Sequence, residues 1–288
     1  MLKKCLKYDL AAVFRVVWIL IVVSFGAVVC MGAGLRCFTE VIIVPEEEPQ
    51  FLAALGAMGG YFFAICCFIV AIAAAVVGTI LVYWRMYSNF FTDEGYLTFT
   101  LPVKRSTLYL SKVLTCSIVE MAGAAACLLG GLIAIPIAIP TEGFALINVG
   151  IFTEIPTILT DMWNTLGVWP VVWVLLIPPM ILVGQLANCG LTFLCITLGA
   201  AIFKKGKLIA AVGIYWLVNN LSGVVVQFVS FPLAFGMSGI MLILASESML
   251  AGLAVTLVFL ITIASTACGA AILHFINLTL LERKLNLA

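Results

Sequence analysis

Charge is what this sequence has least of. Asp, Glu, Lys and Arg make up 9% of its 288 residues, against roughly 25% in soluble chains, and its mean hydropathy is +1.27. That composition excludes a soluble cytosolic enzyme. The 14 Lys+Arg and 13 Asp+Glu leave a net charge of +1, so no global field draws in nucleic acid or an acidic partner. Histidine is nearly missing: His274 stands alone. There is no HExxH, no GxSxG and no pair of carboxylates within an apolar run, so metal hydrolysis and Ser–His chemistry lack their components and the chain is not expected to be an enzyme. A GxxxxGK[ST] string is also absent, and Lys204-Lys205-Gly206-Lys207 lacks the glycine spacing that turns backbone amides toward phosphate. ATP is not expected to bind this chain.

Cysteine is plentiful, with ten residues, but neither a CxxC nor a His-containing ligand spacing occurs, so no metal site is expected. Cys66, Cys67, Cys116, Cys127, Cys189, Cys195 and Cys268 lie inside apolar runs, where they act as small hydrophobes. Cys30 and Cys37 are the two that could meet near an oxidising face, though free thiols remain the simpler reading.

Uncharged runs are what the chain does have. Val16 to Leu35, Phe51 to Trp84, Met162 to Phe203, Leu208 to Ser246 and Ser248 to Leu281 contain no Asp, Glu, Lys or Arg, and Val113 to Thr141 is interrupted by Glu120 alone. Each exceeds the roughly 18 residues that mark a transmembrane helix, because in hydrocarbon the backbone must satisfy its own hydrogen bonds. The expected fold is therefore all-α and polytopic, a single membrane domain over 1–288. Its spans are expected near 14–36, 52–84, 107–139, 170–203, 207–230 and 249–277. The run from Leu208 to Ser246 would reach roughly 58 Å as a helix against a hydrocarbon core of about 30 Å. It holds two spans, for seven in all, or one span and a broken return; Ser230, Phe231, Pro232 and Gly236 favour a re-entrant or interfacial piece over 231–247. Pro170 suits a helix start, and Pro178-Pro179 should kink the fourth span.

The first apolar run outlasts a signal-peptide core and no clean Ala-x-Ala site follows, so it reads as an uncleaved anchor. Before it, Leu2, Leu6, Leu10 and Val13 share a helical face from which Lys3, Lys4, Lys7 and Arg15 are absent. This fits a helix lying at an anionic interface, or equally a plain basic flank. With both termini inside, every Lys and Arg except Arg36 falls on the cytoplasmic side. Basic residues in short loops resist translocation, so both termini are expected in the cytoplasm.

The connection between spans two and three, Trp84 to Lys112, mixes Phe90, Phe91, Tyr96, Leu97, Phe99 and Leu101 with acids and bases. Such side chains need a surface to bury them. Thr92 or Asp93 could cap a short helix, Gly95 permits a bend, and Pro102 with Ser106 or Thr107 suits a helix restart. Docking to a partner and lying on the headgroups are equally compatible with these residues.

The string Tyr83 to Lys112, with Asp93-Glu94-Gly95-Tyr96-Leu97-Thr98, Leu101-Pro102-Val103 and Ser111-Lys112, resembles the intracellular loop of ABC-2-type transporter permeases. The opening Leu2-Lys3-Lys4 to Leu6-Lys7-Tyr8 and the six-span layout are similar to the same family. The resemblance implies a non-catalytic permease in the plasma membrane, an exporter, with an elbow helix before span one. It implies a coupling helix formed by Thr92, Asp93, Glu94, Gly95, Tyr96, Leu97, Thr98, Phe99, Leu101 and Pro102. A separate ATPase, holding ATP and Mg, would bind that helix, and two permeases, identical or paralogous, would form the transporter. Spans two and five would meet around its pathway, and the segment after Pro232 would match the family's extracellular re-entrant helices.

Four side chains are candidates for the path. Glu120 lies about 12 Å along a helix from Lys112, and an intramembrane carboxylate suggests a cation contact, proton site or gate unless it snorkels to the headgroups. Asn219, Asn220 and Gln227, with Ser222, form a polar cluster that should face protein or water, as packing glue or cavity lining. Gln185, Asn188 and Thr192 read as glue between helices. Gly56, Gly60, Ala64, Ala71 and Ala75 allow close helix approach, at a dimer seam or an internal contact. His274 is assigned no role. Two other classes remain, an ion-coupled secondary transporter using Glu120 and a non-transporting membrane scaffold.

Overall fold

A computed structural model of the protein describes residues 2–43, 51–92, 95, 100, 103–138, 160, 169–203, 206, 207, 209–221 and 248–283. Regular structure among them is helical: α1 (Leu2–Ile43), α2 (Phe51–Phe91), α3 (Arg105–Ala138), α4 (Trp169–Ile202), α5 (Ile209–Leu221) and α6 (Ser248–Arg283). All but α5 are long and apolar enough to cross a membrane. Their flanks are apolar and uncovered, with Met58 71%, Phe62 69% and Leu128 71% exposed. In water such surfaces would aggregate, whereas in lipid they need no partner. The chain is a multi-pass helical membrane protein.

Sequence expectation and structure differ at the N-terminal end. α1 runs unbroken for 42 residues, so the basic stretch is its first turns and not a separate interfacial elbow. No Gly or Pro occurs between Leu2 and Phe25 to stop the helix. At roughly 63 Å, α1 is about twice the hydrocarbon thickness. Within the expected span 207–230 the described residues form α5 (Ile209–Leu221); 222–230 and the return over 231–247 lie outside the described residues.

The chain divides into two compact units. One comprises Lys3–Met86 and Thr115–Thr157 and holds α1, most of α2 and the later part of α3. Here backbones approach closely through glycine. A Cβ on Gly34 would lie 2.7 Å from the Gly60 carbonyl oxygen, and one on Gly32 would lie 2.6 Å from the Ala134 carbonyl oxygen. Ala57, Ala64 and Ala71 are buried on α2, so its small residues serve an internal contact at Gly60 and Ala64. The Thr39 hydroxyl donates to the Ala138 carbonyl at 2.6 Å, satisfying one of the acceptors that the last turn of α3 leaves open.

The other unit comprises Tyr87–Leu114 and Ile158–Ala288 with Met1–Leu2. α4 and α6 pack along one another, helped by Gly190, where a Cβ would sit 3.6 Å from Leu273. Near their far ends the Trp173 indole N–H donates to the Thr256 hydroxyl at 3.1 Å. Pro178 and Pro179 lie within α4. After α4 the chain reverses at Gly206, whose φ of 68° is left-handed and open to glycine without strain. A Cβ on Gly199 would lie 2.8 Å from the Ala211 backbone nitrogen, so α5 returns in direct backbone contact with α4. Cys30 and Cys37 are free, as are the other cysteines.

Candidate functional site

The aromatic connection between α2 and α3 has two feet. On the α2 side Phe90 is buried at 1% exposure, and the Thr92 hydroxyl turns back to the Ser88 carbonyl. Thr92 thus closes back on the last turn of α2. The Gly95 N–H donates to the Thr92 carbonyl at 2.8 Å, and a Cβ on Gly95 would come within 2.6 Å of the Phe90 carbonyl oxygen. Glycine is required at that turn by the close approach of backbone. On the α3 side the N–H groups of Thr107 and Leu108 both reach the Lys104 carbonyl, at 2.9 and 3.2 Å, and open the helix. Asp93, Glu94, Tyr96, Leu97, Thr98, Phe99, Leu101 and Pro102 lie outside the described residues.

Both feet close on one ring. Phe193 of α4 is wholly buried; Phe90 meets it edge-on with centroids 5.6 Å apart, and Tyr109 of α3 meets it edge-on at 4.8 Å. Edge-to-face pairs of this kind contribute about 0.5–1.5 kcal/mol beyond packing. The Tyr109 ring also lies 5.0 Å from that of His274 on α6.

The polar centre is Asn277 of α6, which has no exposed surface. Its amide nitrogen donates to the Tyr109 hydroxyl and to the Gly190 carbonyl, each at 3.0 Å. Its carbonyl oxygen lies 3.3 Å from the Thr197 hydroxyl, whose one proton it shares with the nearer Leu194 carbonyl at 2.8 Å. A buried amide is costly unless satisfied, and here both donors and the acceptor are used. One turn on, Arg105 donates to the Leu281 carbonyl at 3.3 Å, a cation placed against the final turn of α6. Ser111 and Lys112 continue the buried polar surface of α3.

The path candidates are divided between the two units. Glu120 is half-buried in the unit of α1 and α2, while Asn219 and Asn220 are exposed on α5 in the other unit. The Asn220 amide returns to the Trp216 carbonyl of its own helix at 2.7 Å, and Gln227 lies outside the described residues. Gln185 and Thr192 likewise bond within α4, to Cys189 and the Asn188 carbonyl. Sequence reasoning missed Asn277 and Phe193. The signal for the first was a lone amide in an apolar run; the second is one phenylalanine among 19, and nothing in its spacing singles it out.

Among the described residues no group of three or more His, Cys, Asp or Glu side chains could hold a metal ion. The node of Phe90, Tyr109, Phe193, Thr197 and Asn277 holds neither a nucleophile with its base nor a charge. Its chemistry is that of a joint: one amide and one ring hold four helices. No protein-family model, curated protein or solved structure matches the chain.

Proposed function

We propose that the chain is the transmembrane subunit of an ABC-2-type transporter, an exporter in the plasma membrane with both termini in the cytoplasm. It works with a separate ATPase that holds ATP and Mg, and with a second permease copy or a paralogue. The segment Thr92 to Pro102 is the coupling element. The loop resemblance and the multi-pass helical architecture support this reading. The observation that carries it is the convergence of Phe90 and Tyr109 on Phe193: the segment between them is anchored at both ends, as a lever must be. A nucleotide cycle that binds the segment differently in two states would then move the ends of α2 and α3.

Affinity purification of the chain from its native membrane should bring down a P-loop ATPase. Deleting residues 92–102 should release that ATPase while membrane insertion continues; a deletion variant that still holds it would end the proposal. Orientation has its own check. A Thr92→Cys variant should gain modification by a membrane-impermeant maleimide in inside-out vesicles, relative to the parent chain, and not in intact cells. Modification from the cell exterior would contradict the reading.

A second reading follows from Glu120, half-buried within an otherwise apolar stretch of α3. Ion-coupled transport through that carboxylate would persist without the ATPase and collapse with the proton gradient.

A further inference from the structure

The geometry points to Asn277 as a positioning residue that locks the feet of the α2–α3 segment to α4 and α6, so that displacement of the segment is delivered to both helices. This rests on the coupling role proposed for the segment.

Three observations carry it. Asn277 bonds at once to α3 and to two places on α4, partners 168, 87 and 80 residues distant in sequence, so one side chain unites three helices. Next, α3 and α6 are gripped twice. Arg105 reaches Leu281 and Tyr109 is reached by Asn277; the pairs are one turn apart on each helix and run in opposite directions along the chain. Two such points fix the axial register of the antiparallel pair, where one would allow it to slide. Third, the aromatic part leaves no slack. Phe193 is wholly buried, Phe90 and Tyr109 are 1% exposed, and a close-packed interior transmits displacement instead of absorbing it.

Packing glue alone does not require this arrangement. Interhelical hydrogen bonds inside membranes add only modest stability, since the separated helices also find partners, and a leucine of similar size would pack there without desolvating an amide. The best-attested use of a buried polar residue is to specify register. Register is what a helix needs if movement at Tyr109 is to become movement of α6.

The chain carries two native reporters: Lys104, exposed at the α3 foot, and Cys268, on an uncovered, lipid-facing flank of α6 that a membrane-permeant maleimide reaches. The complex is purified from native membranes, and Lys104 acylation and Cys268 alkylation are followed by peptide mass spectrometry, with and without ATP plus vanadate. In the parent chain both rates should change with nucleotide by about fivefold, the lower end of usual allosteric coupling. Asn277→Leu and Tyr109→Phe should retain the ATPase and the Lys104 response but lose the Cys268 response. A merely structural role would alter melting temperature and leave the nucleotide response of Cys268 intact. Tyr109→Phe removes one oxygen and keeps the ring, so it decides the matter if Asn277→Leu does not fold.

Survival of the Cys268 response in the folded variants, or its absence from the parent complex, overturns the assignment and leaves the coupling role standing. Loss of the Lys104 response as well would put the defect in docking and also overturn it. If no ATPase accompanies the parent chain, the transporter reading itself fails, and the inference with it.

Discussion

Phe193→Ala is expected to destabilise the unit of α4 and α6 by about 3 kcal/mol, the lower end of the range for Phe→Ala at buried sites. The reasoning separates two contributions. In water, truncation loses both the transfer of the ring out of solvent and the contacts around the void it leaves. In a bilayer the separated helices would bury the ring in lipid, so most of the transfer contribution disappears. The void remains, because Phe193 is wholly buried and ringed by Phe90 and Tyr109, and neither neighbour can fill it without leaving its own contacts. Equilibrium unfolding in mixed micelles would measure the loss. A change below about 1 kcal/mol, the scale of a site that collapses freely, would mean that the rings do not form a joint. Phe193→Leu should retain most of the stability and act as the control.

The second large effect belongs to the other unit. Gly34→Ala should cost about 2–3 kcal/mol, the upper part of the overpacking range, although alanine is the better helix former. The added carbon would sit 2.7 Å from the Gly60 carbonyl oxygen and 3.0 Å from the Ala64 nitrogen, and both obstacles are backbone. Neither can rotate aside, so α1 and α2 would have to move apart along the crossing. Gly59→Ala provides the contrast, since nothing lies within 4 Å of a Cβ there; helix propensity alone should make it neutral or stabilising by up to about 1 kcal/mol. Melting of the two variants beside the parent would check the pair. Equal behaviour would show that the crossing is looser than these distances.

The uncharged runs made the long helices legible because in lipid length and apolarity nearly determine secondary structure. Boundaries were less so. α2 continues to Phe91 and α6 to Arg283, past the expected ends at 84 and 277, since a helix already satisfying its hydrogen bonds has no reason to stop where the hydrocarbon stops. The same propensity carried Lys3, Lys4 and Lys7 into α1. The feet of the aromatic segment were half legible: Phe90 stood out as an aromatic in a connection, whereas Tyr109 lies past the helix restart and Phe193 more than 80 residues beyond. Which residues share an interior depends on helix rotation, and in a membrane chain apolar side chains cover every face. Hydrophobic periodicity, which identifies the buried stripe of a soluble helix, is then silent. Asn277 shows the converse. A polar atom that cannot face lipid must face protein, so an isolated amide in such a run marks an interior contact even when its partner cannot be named.

The joint around Asn277 is assembled from an amide, a phenol and an alcohol, none carrying formal charge. An electric field across a bilayer does work on displaced charge, about 2.3 kcal/mol per elementary charge per 100 mV, and does almost none on neutral groups. Polarising or depolarising the membrane should therefore leave this contact unmoved, and the connection it makes would hold equally in a resting and an energised cell.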